Sequence, residues 1–227
     1  MRNKPESSEN FKNSESSSFN FPLKMKRIGI FGGSFNPIHL GHTTLATYIC
    51  EQGLVDEVWL MVSPQNPLKR DLTLLDENER LAMARLATAP YPMLRACDFE
   101  FTLPRPSYTY HTLQALRKAY PNHEFSLIIG EDNWQCFDRW YRSEDIARET
   151  PIIVYPRSSE NSEHSESTKE LSTFNFQLSI LEDPPLLPYS STEVREHIAA
   201  GKSIDQMLHP DVAQYIKTNK LYTQQAQ

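Results

Sequence analysis

The chain has 227 residues, 39% of them hydrophobic, and its 23 Lys and Arg against 29 Asp and Glu give a net charge of −6. That length suits one domain with a substantial core, and the negative balance supplies no electrostatic reason to bind nucleic acid. Three widely spaced cysteines (Cys50, Cys97, Cys136) form no C-x-x-C pair, no apolar run nears the roughly 20 residues of a membrane span, and no secretory leader is visible, so a cytoplasmic protein with reduced thiols and no membrane partner is expected.

Residues 1–24 are rich in Ser, Asn, Glu and Lys with little apolar pattern. They cannot bury enough surface to offset ordering entropy, so they read as a disordered extension. Met25 stands directly before the first apolar run, and translation is expected to start there naturally; intact mass from the native cell tests this. From residue 25 to 222 short apolar runs alternate with helical patterns. Strands are expected at 27–31, 57–63, 93–98, 125–130, 151–155 and 177–181. Helices are expected at 40–52, 76–89, 107–119, 131–138, 143–149, 191–200 and 210–218. Runs such as SLIIG and PIIVY are apolar on both faces, as strands are when helices cover both sides of a parallel sheet. The alternation predicts an α/β, Rossmann-like doubly wound sheet, mainly parallel. Residues 157–170 are polar and read as a flexible insertion, with His164 a solvated side chain, and 223–227 read as a tail.

The first strand leads into GIFGGSFNPIHLGH at 29–42. Two glycines, Gly32 and Gly33, are read as a turn that opens onto a helix N-terminus. Glycine allows close backbone approach, and free amides with the helix dipole favour an anion. His39 and His42, three apart, add donors on one helix face. Near the other end, YSSTEVRE at 189–196 offers Ser190, Ser191 and Thr192 as caps, with Arg195 following and Gly201 closing the helix. Hydroxyls, amides and a guanidinium fork make a second phosphate cradle.

The first run resembles the G-x-F-x-P-x-H-x-G-H signature of the nucleotidylyltransferase superfamily, and the second resembles its I-S-x-T-x-x-R element with Tyr189 in place of isoleucine. The resemblance implies that Gly32, Gly33, Ser34, Phe35, Ser190, Ser191 and Thr192 bind ATP. His39, His42, Arg195 and Lys69 would be the catalytic cations. Lys69 lies in PQNPLKR, where the family carries a basic P-P-H-K or P-P-H-R loop; Leu68 stands where the family has histidine, so Lys69 or Arg70 must supply the charge.

Residues 107–113, SYTYHTL, resemble the S-Y-T-x-x-T-L segment of bacterial nicotinate-nucleotide adenylyltransferases. There the start of a helix presents amides to the pyridine carboxylate, a sensible pairing of anion with helix N-terminus. This implies that Tyr108, Thr109, Trp140 and Tyr141 bind the acceptor, with Trp140 stacking on the ring. Ser107 and Thr109 can also serve as plain caps, and Trp134 and His111 are read as packing and as without role. Gly130 and Asp132, after a buried strand, match a family G-x-D and are expected on ATP. The implied reaction transfers AMP from ATP to nicotinate mononucleotide, giving deamido-NAD and pyrophosphate. Mg²⁺ would be carried on the ATP phosphates without a protein cage, no protein metal site is expected, and a homo-oligomer is compatible. Pantetheine-phosphate adenylyltransferase is the nearest rival, and a non-catalytic nucleotide sensor the rival from another class.

Overall fold

The computed structural model describes residues 25–65, 74–156 and 177–223. Six strands form one sheet: β1 (Lys26–Gly33), β2 (Glu57–Val62), β3 (Leu94–Cys97), β4 (His123–Gly130), β5 (Ile152–Tyr155) and β6 (Leu178–Ile180). Their order is β3-β2-β1-β4-β5-β6, and every neighbouring pair is parallel. Seven α-helices accompany them among the described residues: α1 (Leu40–Glu51), α2 (Glu77–Thr88), α3 (Thr109–Ala119), α4 (Glu131–Trp134), α5 (Ser143–Glu149), α6 (Ser191–Ala199) and α7 (Pro210–Asn219). The fold is the Rossmann-like one that the alternation predicted.

Strand side chains alternate between two cores. Ile28 and Ile30 of β1 join Leu127 and Ile129 of β4 and Leu113 and Leu116 of α3 on one face. Phe31 joins Leu45 and Ile49 of α1, Leu81 and Ala84 of α2, and Val212 and Ile216 of α7 on the other. Burial on both faces is why the strands read as continuous apolar runs. Among the described residues no helix is long and apolar enough to cross a membrane.

Three local readings need correction. β1 does not stop before the glycines: Gly32 and Gly33 pair with Met61 and Val62 inside the ladder. The turn falls later, on Ser34–Pro37, with Phe35 at φ 44 and a cis Asn36–Pro37 bond. The expected helix at 131–138 is a short α4 followed by a single 3₁₀ turn at Phe137–Arg139, because Trp134 and Phe137 both turn inward and stack at 5.3 Å. Ser107 does not cap α3; Tyr108 is its N-cap residue, and no side chain caps that helix. Lys69, Arg70, His164 and the 157–170 stretch lie outside the described residues, as do 1–24.

Sheet order reverses between β1 and β4, which lie side by side although β2 and β3 intervene in sequence. At such a switch point the outgoing connections leave toward opposite faces and open a crevice at the carboxyl edge. The β1–α1 loop and the start of α4 stand there.

Candidate active site

A cavity of about 450 Å³ occupies that crevice, within the range of small-molecule sites. Gly32, Gly33, Ser34, Phe35, His39 and His42 line one side, Tyr108, Thr109, Trp140 and Tyr141 another, and Ser190, Ser191, Thr192 and Arg195 a third, with Gly130 also on the wall. Three stretches distant in sequence thus meet around one space. Asp132 is exposed on α4 and is not among the lining residues, whereas its neighbour Asn133 is.

The first wall is shaped by what its glycines leave out. A Cβ on Gly33 would lie 2.9 Å from the Phe35 ring, and one on Gly41 would lie 3.0 Å from the His39 imidazole. A side chain at Gly33 would force the Phe35 ring to shift, and one at Gly41 would press on the His39 ring. A Cβ on Gly32 meets nothing within 4 Å, since that position faces the open cavity. His39 ends the loop as the N-cap residue of α1. Its backbone N–H donates to Nδ1 of His42 at 3.2 Å, and the two rings stand 3.7 Å apart. With Nδ1 accepting from a main-chain N–H, the ring's other nitrogen, Nε2, is the one that carries a proton. Phe35 packs edge-on to His42 at 5.0 Å and holds its plane.

The late wall is bonded to the early one. Arg195 Nη1 donates to the Asn36 carbonyl at 2.7 Å, and Ser191 Oγ donates to the Pro37 carbonyl at 2.8 Å. Arg195 Nη2 also donates to Thr192 Oγ1 at 3.2 Å, while Ser190 Oγ caps α6 by accepting from the Glu193 N–H at 3.1 Å. The guanidinium is thus oriented from both sides before any ligand arrives.

Several residues of this constellation carry no motif. Asn36, 5% exposed, accepts at Oδ1 from the Leu75 N–H and the Tyr222 hydroxyl, at 3.3 and 2.9 Å. Burial pushes the Tyr222 phenol up, against the pull of Arg80 and Arg195. Arg80, buried on α2, bonds to the loop from behind. Arg139 lines the cavity beside Trp140. The acidic residue of the lining among the described residues is Glu100. Its Oε1 accepts from Thr112 Oγ1 at 2.8 Å. Burial pushes this carboxyl up, outweighing the opposite pull of the Thr112, Ser63 and Ser107 hydroxyls. The walls therefore present the guanidinium groups of Arg139 and Arg195 and the imidazoles of His39 and His42 against one buried acid, in a chain of negative charge.

At the mouth Tyr141, 48% exposed, stands 5.2 Å from Tyr108 and 5.3 Å from His111. Trp140 packs on Phe137 at 5.4 Å and lines the cavity. The α3 N-terminus opens beside this aromatic group, and its first-turn amides have no side-chain cap. His111, without role in the sequence reading, is part of the rim; its place one turn from Tyr108 was the available signal. Among the described residues no three His, Cys, Asp or Glu side chains gather to hold a metal ion.

Comparison with known proteins places this geometry. The cytidylyltransferase-like family model matches residues 30–197. A protein of Bacteroides fragilis named "probable nicotinate-nucleotide adenylyltransferase" is 48% identical over 186 residues, 82% of this chain and 89% of that protein. One of the same name from Flavobacterium johnsoniae is 42% identical over 196 residues, 86% of this chain and 98% of that protein. The solved Plasmodium falciparum nicotinic acid mononucleotide adenylyltransferase complexed with NaAD superposes with a TM-score of 0.73 at 22% identity, covering 89% of this chain and all (100%) of that one, and so shares the fold. With the signature residues, the cavity and these relatives in agreement, the chain belongs to the cytidylyltransferase-like family and, within it, to the nicotinate-nucleotide adenylyltransferases.

Proposed function

We infer that this enzyme transfers AMP from ATP to nicotinate mononucleotide, forming deamido-NAD and pyrophosphate in NAD biosynthesis. The observation that carries the reading is the convergence of the two phosphate elements: Arg195 on the Asn36 carbonyl at 2.7 Å and Ser191 on that of Pro37 at 2.8 Å, around one cavity. A polyphosphate lying there would meet both at once.

An oxygen of the acceptor's 5′-phosphate attacks the α-phosphorus of ATP, and the bond from that phosphorus to the β-phosphate bridging oxygen breaks. The nucleophile is already an anion, so no general base is needed, and catalysis reduces to orientation and charge stabilisation. In this reading His39 and His42 bind the triphosphate, and His42 donates to the α-phosphate as its charge grows. Arg195, Thr192 and Lys69 hold the departing pyrophosphate. Gly32, Gly33, Ser34, Phe35, Gly130, Ser190 and Ser191 frame ATP, and Asp132 at the rim is kept as an ATP contact. Tyr108, Thr109, Trp140 and Tyr141 receive the acceptor. The uncapped α3 amides suit its carboxylate better than a neutral carboxamide, and Trp140 offers the ring a flat face. With Glu100 buried and hydrogen-bonded to Thr112, no three His, Cys, Asp or Glu side chains among the described residues gather as a cage for Mg²⁺; the ion would be carried by the ATP phosphates and its own waters and would supply charge neutralisation.

Pyrophosphate release from ATP tests the proposal, run with nicotinate mononucleotide, nicotinamide mononucleotide and phosphopantetheine in parallel. The nicotinate compound should be turned over fastest. A faster rate with the amide overturns the carboxylate assignment, and a faster rate with phosphopantetheine overturns the acceptor altogether.

A further inference from the structure

Arg80 is one of the most deeply buried side chains of the molecule, 1% exposed. It sits on α2, the helix packed beneath the β1–α1 loop, on a stripe otherwise filled by Met83, Ala84 and Ala87. Among the described residues its Nε and Nη1 donors go to main-chain carbonyls. Nη1 bonds to Ser34 at 2.5 Å and to Ser63 at 2.9 Å, and Nε bonds to Leu75 at 2.9 Å. Among the described residues no carboxylate forms an ion pair with it. Its acidic neighbours are engaged elsewhere, Asp76 on the Asn78 amide and Glu77 on Arg105. A guanidinium stays protonated even here, although burial lowers its affinity for the proton.

A buried cation held by carbonyl dipoles, with no ion pair among the described residues, keeps its net charge, and that charge acts through a medium of low dielectric. The carbonyls it grips also matter for direction. The Ser34–Phe35 peptide is trans, as it is not among the cis bonds. In a planar trans peptide the C=O and the following N–H point opposite ways. With the Ser34 oxygen held back toward Arg80, the Phe35 N–H is turned the other way, on a loop whose Ser34 and Phe35 line the cavity.

We propose that Arg80 is a positioning residue for polyphosphate: it aims the Phe35 amide into the cavity and supplies, from behind the loop, a positive charge that the ligand's phosphates complete. The proposal rests on the phosphate reading of the site given above. It assigns a role in substrate binding to a side chain that touches no substrate.

The test compares wild type with Arg80→Lys and Arg80→Met. Calorimetry measures binding of inorganic pyrophosphate, ATP and nicotinate mononucleotide, and thermal melts are run alongside. Arg80→Met should weaken pyrophosphate and ATP at least ten-fold and leave the mononucleotide within two-fold. Arg80→Lys keeps the charge and a donor for the Ser34 carbonyl, and should recover most of the loss. In ¹⁵N-labelled wild type, the Phe35 amide should shift on adding pyrophosphate, a readout that does not depend on either variant folding. Unchanged pyrophosphate binding in both variants, equal loss for all three ligands, or a silent Phe35 amide overturns the proposal. Failure of wild type itself to bind pyrophosphate or ATP overturns instead the reading on which it rests.

Discussion

At the scale of single residues, the site separates groups that meet the substrate from groups that hold them. His42 belongs to the first. Its Nδ1 accepts from the His39 amide, which fixes the ring beside the cavity it lines. If it acts on charge that develops in the transition state, His42→Ala should lower kcat by about 10²- to 10³-fold while ATP binding changes far less. Equal losses in kcat and affinity, measured by steady-state kinetics and calorimetry, would reduce it to a ground-state contact. Glu100 belongs to the second. Its carboxyl is raised above the ordinary 4.5 by burial. As pH climbs through that value the unfolded chain releases the proton first, so Glu100 costs stability progressively until its own folded titration is complete. Glu100→Gln keeps an acceptor for Thr112 and removes the penalty. Its melting temperature should exceed wild type at pH 7 to 8 and converge with it near pH 4. A gap that stays constant across this range would show that the carboxyl does not titrate abnormally.

At the scale of elements, each late helix is tied back to the early loop. Ser190 satisfies an amide in the first turn of α6, and that turn carries Thr192 and leads to Arg195. Ser190→Ala should cost about 1 kcal/mol in urea unfolding, with Ser190→Asp close to wild type; an unchanged midpoint in the alanine variant would show the cap to be idle. These elements were legible because their signals are local. Period, caps and the spacing of Phe35, Pro37, His39 and His42 all lie within a few residues of one another. The glycine turn was misplaced for a related reason. Gly32 and Gly33 suggest a turn by composition, yet β2 is long enough to pair with both, and pairing is a tertiary event. Asn36, Arg80, Glu100 and Tyr222 stayed hidden because the partners that place them at the site lie 12 to 186 residues away, 46 for Arg80 and Ser34. Arg80 did leave a trace: a charged residue on the apolar stripe of α2, four before Ala84 and seven before Ala87, must find buried acceptors or be expelled.

At the scale of the molecule, the C-terminal segment closes on the β1–α1 loop and on α2. Tyr222, just past α7, donates to Asn36 at 2.9 Å, and Tyr215 donates to Glu79 of α2 at 2.9 Å. We expect the folding unit to be residues 25–222, so removing 1–24 should change neither melting temperature nor turnover. Tyr222→Phe, by contrast, removes one buried bond to the loop and should cost about 1 kcal/mol; it should also raise KM for ATP more than KM for the acceptor. Equal thermal melts and kinetics for Tyr222→Phe and wild type would dismiss the latch. The place where a His39 ring fills the space above Gly41 bears on how far such a protein can be hardened. Glycine inside a helix forfeits roughly 0.5–1 kcal/mol relative to alanine, and elsewhere that loss is the easiest to recover. Here an alanine Cβ would stand 3.0 Å from the imidazole, which must give way by a few tenths of an ångström, so Gly41→Ala should melt no lower than wild type yet turn over more slowly; an unchanged kcat would show that the ring yields without cost.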